Sequence, residues 1–221
     1  MMKQSRLKLN RKKGRPPDLP VMNFSNQTMD YNEALQSNTW VAERKYADKI
    51  IYSCRKLNHK VKLDRLTKGE GNCFMISILQ QLKSSDVYSH LSSELKTLAD
   101  EMNPMNLRRQ VTNFITTSNH PSIRNLKALY YPDPASSDPK TWKEYWERML
   151  VNGHWPSHYF ILATAWFVKH DIWIYDTSCT EEKPVYHISG NIDDPDKEAE
   201  HDDPLRVGLL TNIHYQSLLV D

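Results

Sequence analysis

Lys68-Gly69-Glu70-Gly71-Asn72, followed by Cys73-Phe74-Met75-Ile76-Ser77-Ile78-Leu79-Gln80-Gln81-Leu82, is the stretch on which the reading of this chain turns. Two glycines around one acid mark a sharp turn, and the run after it is apolar nearly all round, so the pattern predicts a turn opening into a buried, central helix. Asn72 then stands at the capping position and Cys73 in the first turn of the helix. A thiol placed there faces unpaired backbone N–H groups and the positive end of the helix dipole, which lower its pKa and favour a thiolate at neutral pH. The same turn, through Glu70, Gly71 and Cys73, can aim N–H groups into a concavity as an oxyanion hole requires. Taken without partners, these residues are more plainly read as a buried structural cysteine at a Gly-rich turn, because free Cys is among the most buried residue types.

Working outward, Trp40, Val41, Tyr46, Ile50, Ile51 and Cys54 recur at helical spacing and predict an amphipathic helix over residues 40–57, with Cys54 on its apolar face. Val61, Leu63 and Leu66 predict a short strand before the turn. Caps and periodicity predict helices over 87–102, 104–117 and 139–151, the last stopped by Gly153. A further buried helix should run from after Pro156 to about Lys169. Strands are predicted at 172–175, 185–188, 205–210 and 215–220. Helices come first and strands late, which gives an α+β fold with a small β-sheet flanked by helices.

A thiol that attacks acyl groups needs a base near in space and far in sequence. Of the nine histidines, His214 stands at the mouth of the otherwise apolar terminal strand, and Gln216, two residues on, projects to the same side and can orient the imidazole. A satisfied core or surface histidine is the plainer alternative. Glu70 is the second candidate for orienting His214. His154 and His158 have helical spacing, yet no third Cys, Asp or Glu ligand accompanies them, so no metal site is expected.

Together these blocks resemble the ovarian tumour (OTU) family of cysteine proteases, most of which are deubiquitinases. Gly69-Glu70-Gly71-Asn72-Cys73-Phe74 is similar to the family's Asp-Gly-Asn-Cys nucleophile motif, and His214-Tyr215-Gln216-Ser217-Leu218 to its His-aromatic-x-Ser-hydrophobic strand. Between them, Tyr145-Trp146-Glu147-Arg148-Met149 and Gly153-His154-Trp155 resemble the family's central segment. The chain departs from the pattern at Glu70, where the family has Asp, at Gln216, where it has Asp or Asn, and at Pro156, where it has Gly. The resemblance spans about residues 45–221 and implies an OTU-like fold. It also implies thiol-dependent cleavage after the C-terminal Gly-Gly of ubiquitin or a related modifier through a thioester on Cys73, with ubiquitin or polyubiquitin as partner and no cofactor. His214 would serve as base, and Trp155 and Tyr215 would contact the substrate. The acidic run from Asp193 to Asp203 would meet basic residues of ubiquitin, unless it is simply a solvated loop.

Outside these blocks, residues 1–16 hold Lys3, Arg6, Lys8, Arg11, Lys12, Lys13 and Arg15 and no acid, leaving 22 basic against 27 acidic residues in the rest of the chain. Residues 1–29 are expected to be a basic, Pro-containing disordered arm and linker, and residues 30–221 the catalytic domain. Lys13-Gly14-Arg15-Pro16-Pro17 resembles an AT-hook core, so residues 3–16 offer weak nucleic-acid contact. Cys54, Cys73 and Cys179 share no short spacing, which argues against a zinc pair or a disulfide framework and for an intracellular protein, cytoplasmic or nuclear. The apolar stretch Tyr159–Val168 is about half the length a membrane span requires. Two rival readings accompany the enzyme: a ubiquitin-binding module of the same fold without turnover, and a nucleic-acid-associated protein acting through its basic arm.

Overall fold

The computed structural model of the chain describes residues 28–63, 65–69, 71–131, 139–178, 185–194, 196–199, 203–210 and 213–220. Residues 1–27 of the basic arm, Glu70, Cys179 and Asn212 therefore lie outside the described residues. The described fold opens with strand β1 (Thr28–Asp30), which straddles the end of the stretch read as linker, and continues through helices α1 (Tyr31–Gln36) and α2 (Val41–Lys56) and strands β2 (Val61–Lys62) and β3 (Arg65–Thr67). Helices α3 (Cys73–Leu82), α4 (Ser85–Tyr88), α5 (Ser93–Glu101), α6 (Pro104–Thr117), α7 (Pro121–Leu129), α8 (Trp142–Met149) and α9 (His158–Val168) follow. The strands β4 (Ile172–Asp176), β5 (Tyr186–Ile188), β6 (Leu205–Leu210), β7 (His214–Ser217) and β8 (Leu219–Val220) complete the described fold.

This is the α+β arrangement with a small sheet flanked by helices. The main sheet has the order β5-β4-β6-β7, with β4 and β6 parallel and both edge strands antiparallel to their neighbours. Two short antiparallel ladders, β1 with β3 and β2 with β8, lie beside it.

Helix α3 is the centre of the fold because it has no polar face to give to water. Phe74, Met75, Ile76, Ile78, Leu79 and Leu82 are all essentially inaccessible, and burying a side chain of this size contributes about 1.5–3 kcal/mol. The helix packs on β6 and β7 on one side and on α5 and α6 on the other. Its polar residue Gln81 joins the strands to the helix: Nε2 donates to Ser217 Oγ (2.7 Å) and the Leu218 carbonyl (2.8 Å), and Oε1 accepts from the Arg206 N–H (3.0 Å). Such a group is tolerated in a core because its donors and its acceptor are satisfied. Cys54 is buried on α2 among Ile50, Val61, Tyr175 and Leu218, and burial pushes its thiol up to about 11.

Several boundaries differ from the sequence expectation. The helix predicted over 87–102 is two helices, because Ser92 restarts the chain by accepting the Leu95 N–H (3.3 Å). The helix predicted over 139–151 starts at Trp142, capped by Thr141 Oγ1 on the Glu144 N–H (3.2 Å). The strand predicted from Tyr215 to Val220 divides at Leu218, whose N–H donates to the Arg206 carbonyl (3.0 Å), so that β7 pairs with β6 and β8 with β2. Helix α7, capped by His120 ahead of Pro121, is an addition to the predicted elements. Among the described residues no helix is long and apolar enough to cross a membrane.

Candidate active site

The turn before α3 is held in a conformation only glycine adopts readily: Gly71 has φ of +75°. Asn72 precedes the helix, but its side chain does not cap it. Its Oδ1 accepts from Arg108 Nε (3.1 Å) and its Nδ2 donates to Asn152 Oδ1 (2.6 Å), so the amide ties the turn sideways to α6 and to the loop after α8.

Cys73 is completely buried at the start of α3. Strand β7 crosses this end of the helix, and the Tyr215 N–H points at Sγ across 3.4 Å. Burial pushes the thiol up, and the N–H groups of Tyr215, Phe74 and Cys73 itself, with the Arg108 charge, pull it down without cancelling that effect. The net direction is upward, opposite to the lowering expected of a thiol at a helix start. The helix end acts as expected, but removing sulfur from water costs the anion more than the dipoles return.

His214, the first residue of β7, is also fully buried. The Tyr46 ring of α2 lies against it, with centroids 5.4 Å apart, and the backbone at Gly69 faces Nδ1 so closely that a Cβ there would stand 3.6 Å away. Neither ring nitrogen has a hydrogen-bond partner among the described residues. Desolvation lowers the imidazole to about 4, against a weaker upward pull from Gln216. His214 is thus a neutral imidazole at neutral pH, one residue before the Tyr215 N–H that meets Cys73 Sγ.

A buried neutral histidine has a thermodynamic signature. Between about pH 6.5 and pH 4 the unfolded chain binds a proton at this residue and the folded chain does not, so stability falls as pH drops through that window and is full above it. The span corresponds to a loss on the order of 3 kcal/mol. Denaturant unfolding at pH 7.5 and pH 4.5 should show that part of the acid sensitivity disappearing in His214→Gln. Equal pH dependence in the two proteins would refute a buried, uncharged His214.

Gln216 is buried on the same side of β7, where its side chain pulls the His214 imidazole up, and it also bonds to the backbone of β3. Oε1 accepts from the Thr67 N–H (3.1 Å), and Nε2 donates to the Arg65 carbonyl (2.6 Å) and to the Ser217 carbonyl (3.3 Å). The side chain thereby extends the sheet from β7 to β3. The ring of Tyr215 is buried between Phe74 (5.2 Å, edge-on) and Trp155 (4.8 Å, stacked), so its backbone N–H, not its side chain, faces the sulfur. Trp155 is partly exposed. The main chain of His154 serves Arg108 as an acceptor, and among the described residues no group of three or more His, Cys, Asp or Glu can hold a metal ion.

Arg108 was not among the residues singled out from sequence. On α6 the buried positions are 104, 107, 108, 111, 112 and 115, a continuous helical stripe with one cation in it. A charged residue inside an apolar stripe needs partners, and that was the signal available. The guanidinium donates through Nε to Asn72 Oδ1, through Nη1 to the Met149 carbonyl (3.0 Å) and through Nη2 to the carbonyls of Gly71 (2.9 Å) and His154.

The family model described as OTU-like cysteine protease matches residues 68–215, which include Cys73 and His214. No curated protein matches the chain significantly in sequence. Among solved structures, a ceOTUB1 complex with ubiquitin aldehyde and UBC13~Ub is 12% identical with a TM-score of 0.50, covering 88% of this chain and 92% of that one. The OTU domain of OTUD1 is 18% identical with a TM-score of 0.47, covering 81% and 96%. An OTU deubiquitinase from Wolbachia pipientis is 13% identical with a TM-score of 0.43, covering 74% and 89%. With the family model matching well over half of its length and the turn, helix and terminal strand assembled as described, the chain belongs to the OTU-like cysteine protease family.

Proposed function

We propose that this protein is a thiol isopeptidase that hydrolyses the bond after the C-terminal Gly-Gly of ubiquitin or a ubiquitin-like modifier, with residues 30–221 as the catalytic unit. The observation that carries the proposal is the crossing of α3 by β7: the N–H of Tyr215 meets Cys73 Sγ (3.4 Å), and the residue before it is a buried, uncharged His214 with open ring nitrogens. A nucleophile beside a neutral base is what acyl transfer needs. In the first step sulfur bonds to the carbonyl carbon while the thiol proton passes to His214. The oxyanion is held by backbone N–H groups of the turn, Gly71 and Cys73 among them, with Glu70 as a further donor. The carbon–nitrogen bond then breaks and His214 returns its proton to the leaving lysine amine. Water attacks the thioester as His214 takes its proton; the carbon–sulfur bond then breaks, His214 returns that proton to the sulfur as the thiol, and the new carboxylic acid releases its proton to water. No cofactor enters the sequence.

Gln216 contributes by fixing β7 on β3 and so fixing where His214 stands, and Glu70 is the acidic alternative for orienting the ring. The partly exposed Trp155 forms one wall of the approach, with Tyr215 as its backing. Ubiquitin is the first modifier to test because the ceOTUB1 relative of the same fold is a complex with ubiquitin aldehyde. Incubation with ubiquitin bearing a C-terminal thiol-reactive electrophile should give one covalent adduct on the full chain. Absence of an adduct, together with direct binding of unmodified ubiquitin, would support the non-catalytic binding module in its place.

A further inference from the structure

The acceptors around Arg108 come from two separate turns, and the guanidinium lies between them. Gly71 and Asn72 belong to the turn that precedes the nucleophile; Met149 ends α8, and His154 lies in the segment that joins it to α9. The two turns also touch directly. A Cβ built on Gly71 would stand 1.9 Å from the Gly153 carbonyl oxygen, and Asn72 Nδ2 donates to Asn152 Oδ1 across 2.6 Å. Gly153 shares the φ of +75° seen at Gly71, so both backbones are bent to make the approach.

A fully buried guanidinium is an expensive choice for mere packing. Its planar fork of donors satisfies four acceptors in fixed directions at once, which an ammonium on a flexible stem cannot reproduce. The loss of hydration is offset only while those four oxygens stay where they are. Its charge also reaches the nucleophile, since it is one of the influences that draw the Cys73 thiol down.

From this we propose that Arg108 is the positioning residue of the site: it clamps the Gly71–Asn72 turn to the Met149–His154 segment and thereby fixes the direction of the backbone N–H groups at Cys73. The inference deepens the isopeptidase reading and rests on it for the part that concerns turnover. The clamp itself is a statement about local structure and can be tested without ubiquitin. It implies that Arg108 acts on the chemical step and not on modifier binding, because the residue is buried, its hydrogen bonds go to the nucleophile turn and the Met149–His154 segment, and its guanidinium lies 5.7 Å from the centre of the Phe160 ring.

The test compares the full wild-type chain with Arg108→Lys, which keeps the charge and loses the fork. Three quantities are measured: turnover of a ubiquitin C-terminal amide substrate, amide hydrogen exchange resolved by segment, and alkylation of Cys73 by iodoacetamide. Misplaced donors should lower kcat by about 10 to 100-fold, with KM within about threefold of wild type, the pattern of an interaction made mainly in the transition state. Exchange over residues 71–74 should quicken at least about tenfold while α9 and β4 are unchanged, as a local opening predicts. Alkylation of the otherwise buried Cys73 should become faster as turnover becomes slower. This opposition is the distinguishing result, since a general loss of stability would quicken exchange throughout the fold. Uniform acceleration, a rise in KM with kcat kept, or a variant indistinguishable from wild type would overturn the clamp. If wild type fails to turn over ubiquitin but Arg108→Lys loosens only residues 71–74 and exposes Cys73, the clamp stands and the substrate reading falls. Should Arg108→Lys not fold, the exposed Asn152→Ala, which removes only the bond to Asn72, takes its place. Quicker exchange confined to the turn supports the clamp, and no change at the turn overturns it.

Discussion

Cys73→Ala should abolish both adduct formation with a C-terminal ubiquitin electrophile and turnover of a ubiquitin amide, a loss of at least about 10⁴-fold, since the substitution removes the atom that attacks the carbonyl. The site geometry makes this a clean experiment. Cys73 is buried on a helix packed on both sides, so Ala leaves a small cavity costing on the order of 1 kcal/mol, well short of unfolding. The melting transition should move by only a few degrees while activity vanishes. Cys54 provides the control. It is buried like Cys73, but it sits on α2 among Ile50, Val61, Tyr175 and Leu218, and the backbone N–H acting on its thiol is its own. Its thiol, pushed up to about 11 by burial, lies within an apolar cluster. An adduct that survives Cys73→Ala would place the chemistry elsewhere, and loss of the adduct in a folded Cys54→Ala would do the same.

How much of this was legible in the sequence depends on the range of the interaction concerned. The turn and α3 were legible because both causes are local: glycines bracket one acid, and ten residues without a polar face can only be central. The amphipathic α2 and the buried α9 were legible for the same reason, and so was His214 at the mouth of a short apolar strand. Boundaries set by one side chain on one N–H, as at Ser92 and Thr141, were not, since Ser and Thr occur in helices as well as at their caps. The ionisation of the site was read with the wrong sign. The helix-end effect on Cys73 is visible from position alone, whereas its desolvation, like that of His214 beneath Tyr46, arises from residues distant in the chain. Gln216 shows the same limit. Alternation along the strand placed its side chain on the side of His214, but the acceptor and donor it uses are the backbone of Thr67 and Arg65, about 150 positions away. Arg108 was open to detection as a cation in an apolar stripe, yet only the fold reveals that its partners are two turns pressed together.

The two glycines of the nucleophile turn look interchangeable in the sequence, and the structure predicts opposite outcomes for them. Gly71→Ala meets two obstacles. Its φ of +75° lies in the left-handed region that costs an L-residue about 1 kcal/mol or more, and the new methyl would lie 1.9 Å from the Gly153 carbonyl oxygen. That oxygen belongs to backbone, and Gly153 itself holds a left-handed φ, so neither side can rotate a side chain out of the way. The turns must part, which breaks the approach that Arg108 and Asn72 bridge and redirects the N–H groups ahead of Cys73. Turnover should fall by about 10² to 10⁴-fold through lost oxyanion stabilisation and misplacement of the nucleophile, with a stability loss of about 2–4 kcal/mol. Gly69→Ala, by contrast, places its methyl at ordinary contact distance, 3.6 Å from His214 Nδ1 and 4.0 Å from the Tyr46 ring, at a backbone position outside the left-handed region. Its fold should be intact, with stability within about 1 kcal/mol of wild type or above it, because Ala restricts the unfolded chain. Paired denaturation and turnover measurements on the two variants decide the matter. A Gly71→Ala protein that melts and turns over like wild type would mean that the two turns do not meet as described, and a Gly69→Ala protein that fails to fold would mean that the space beside His214 is not there.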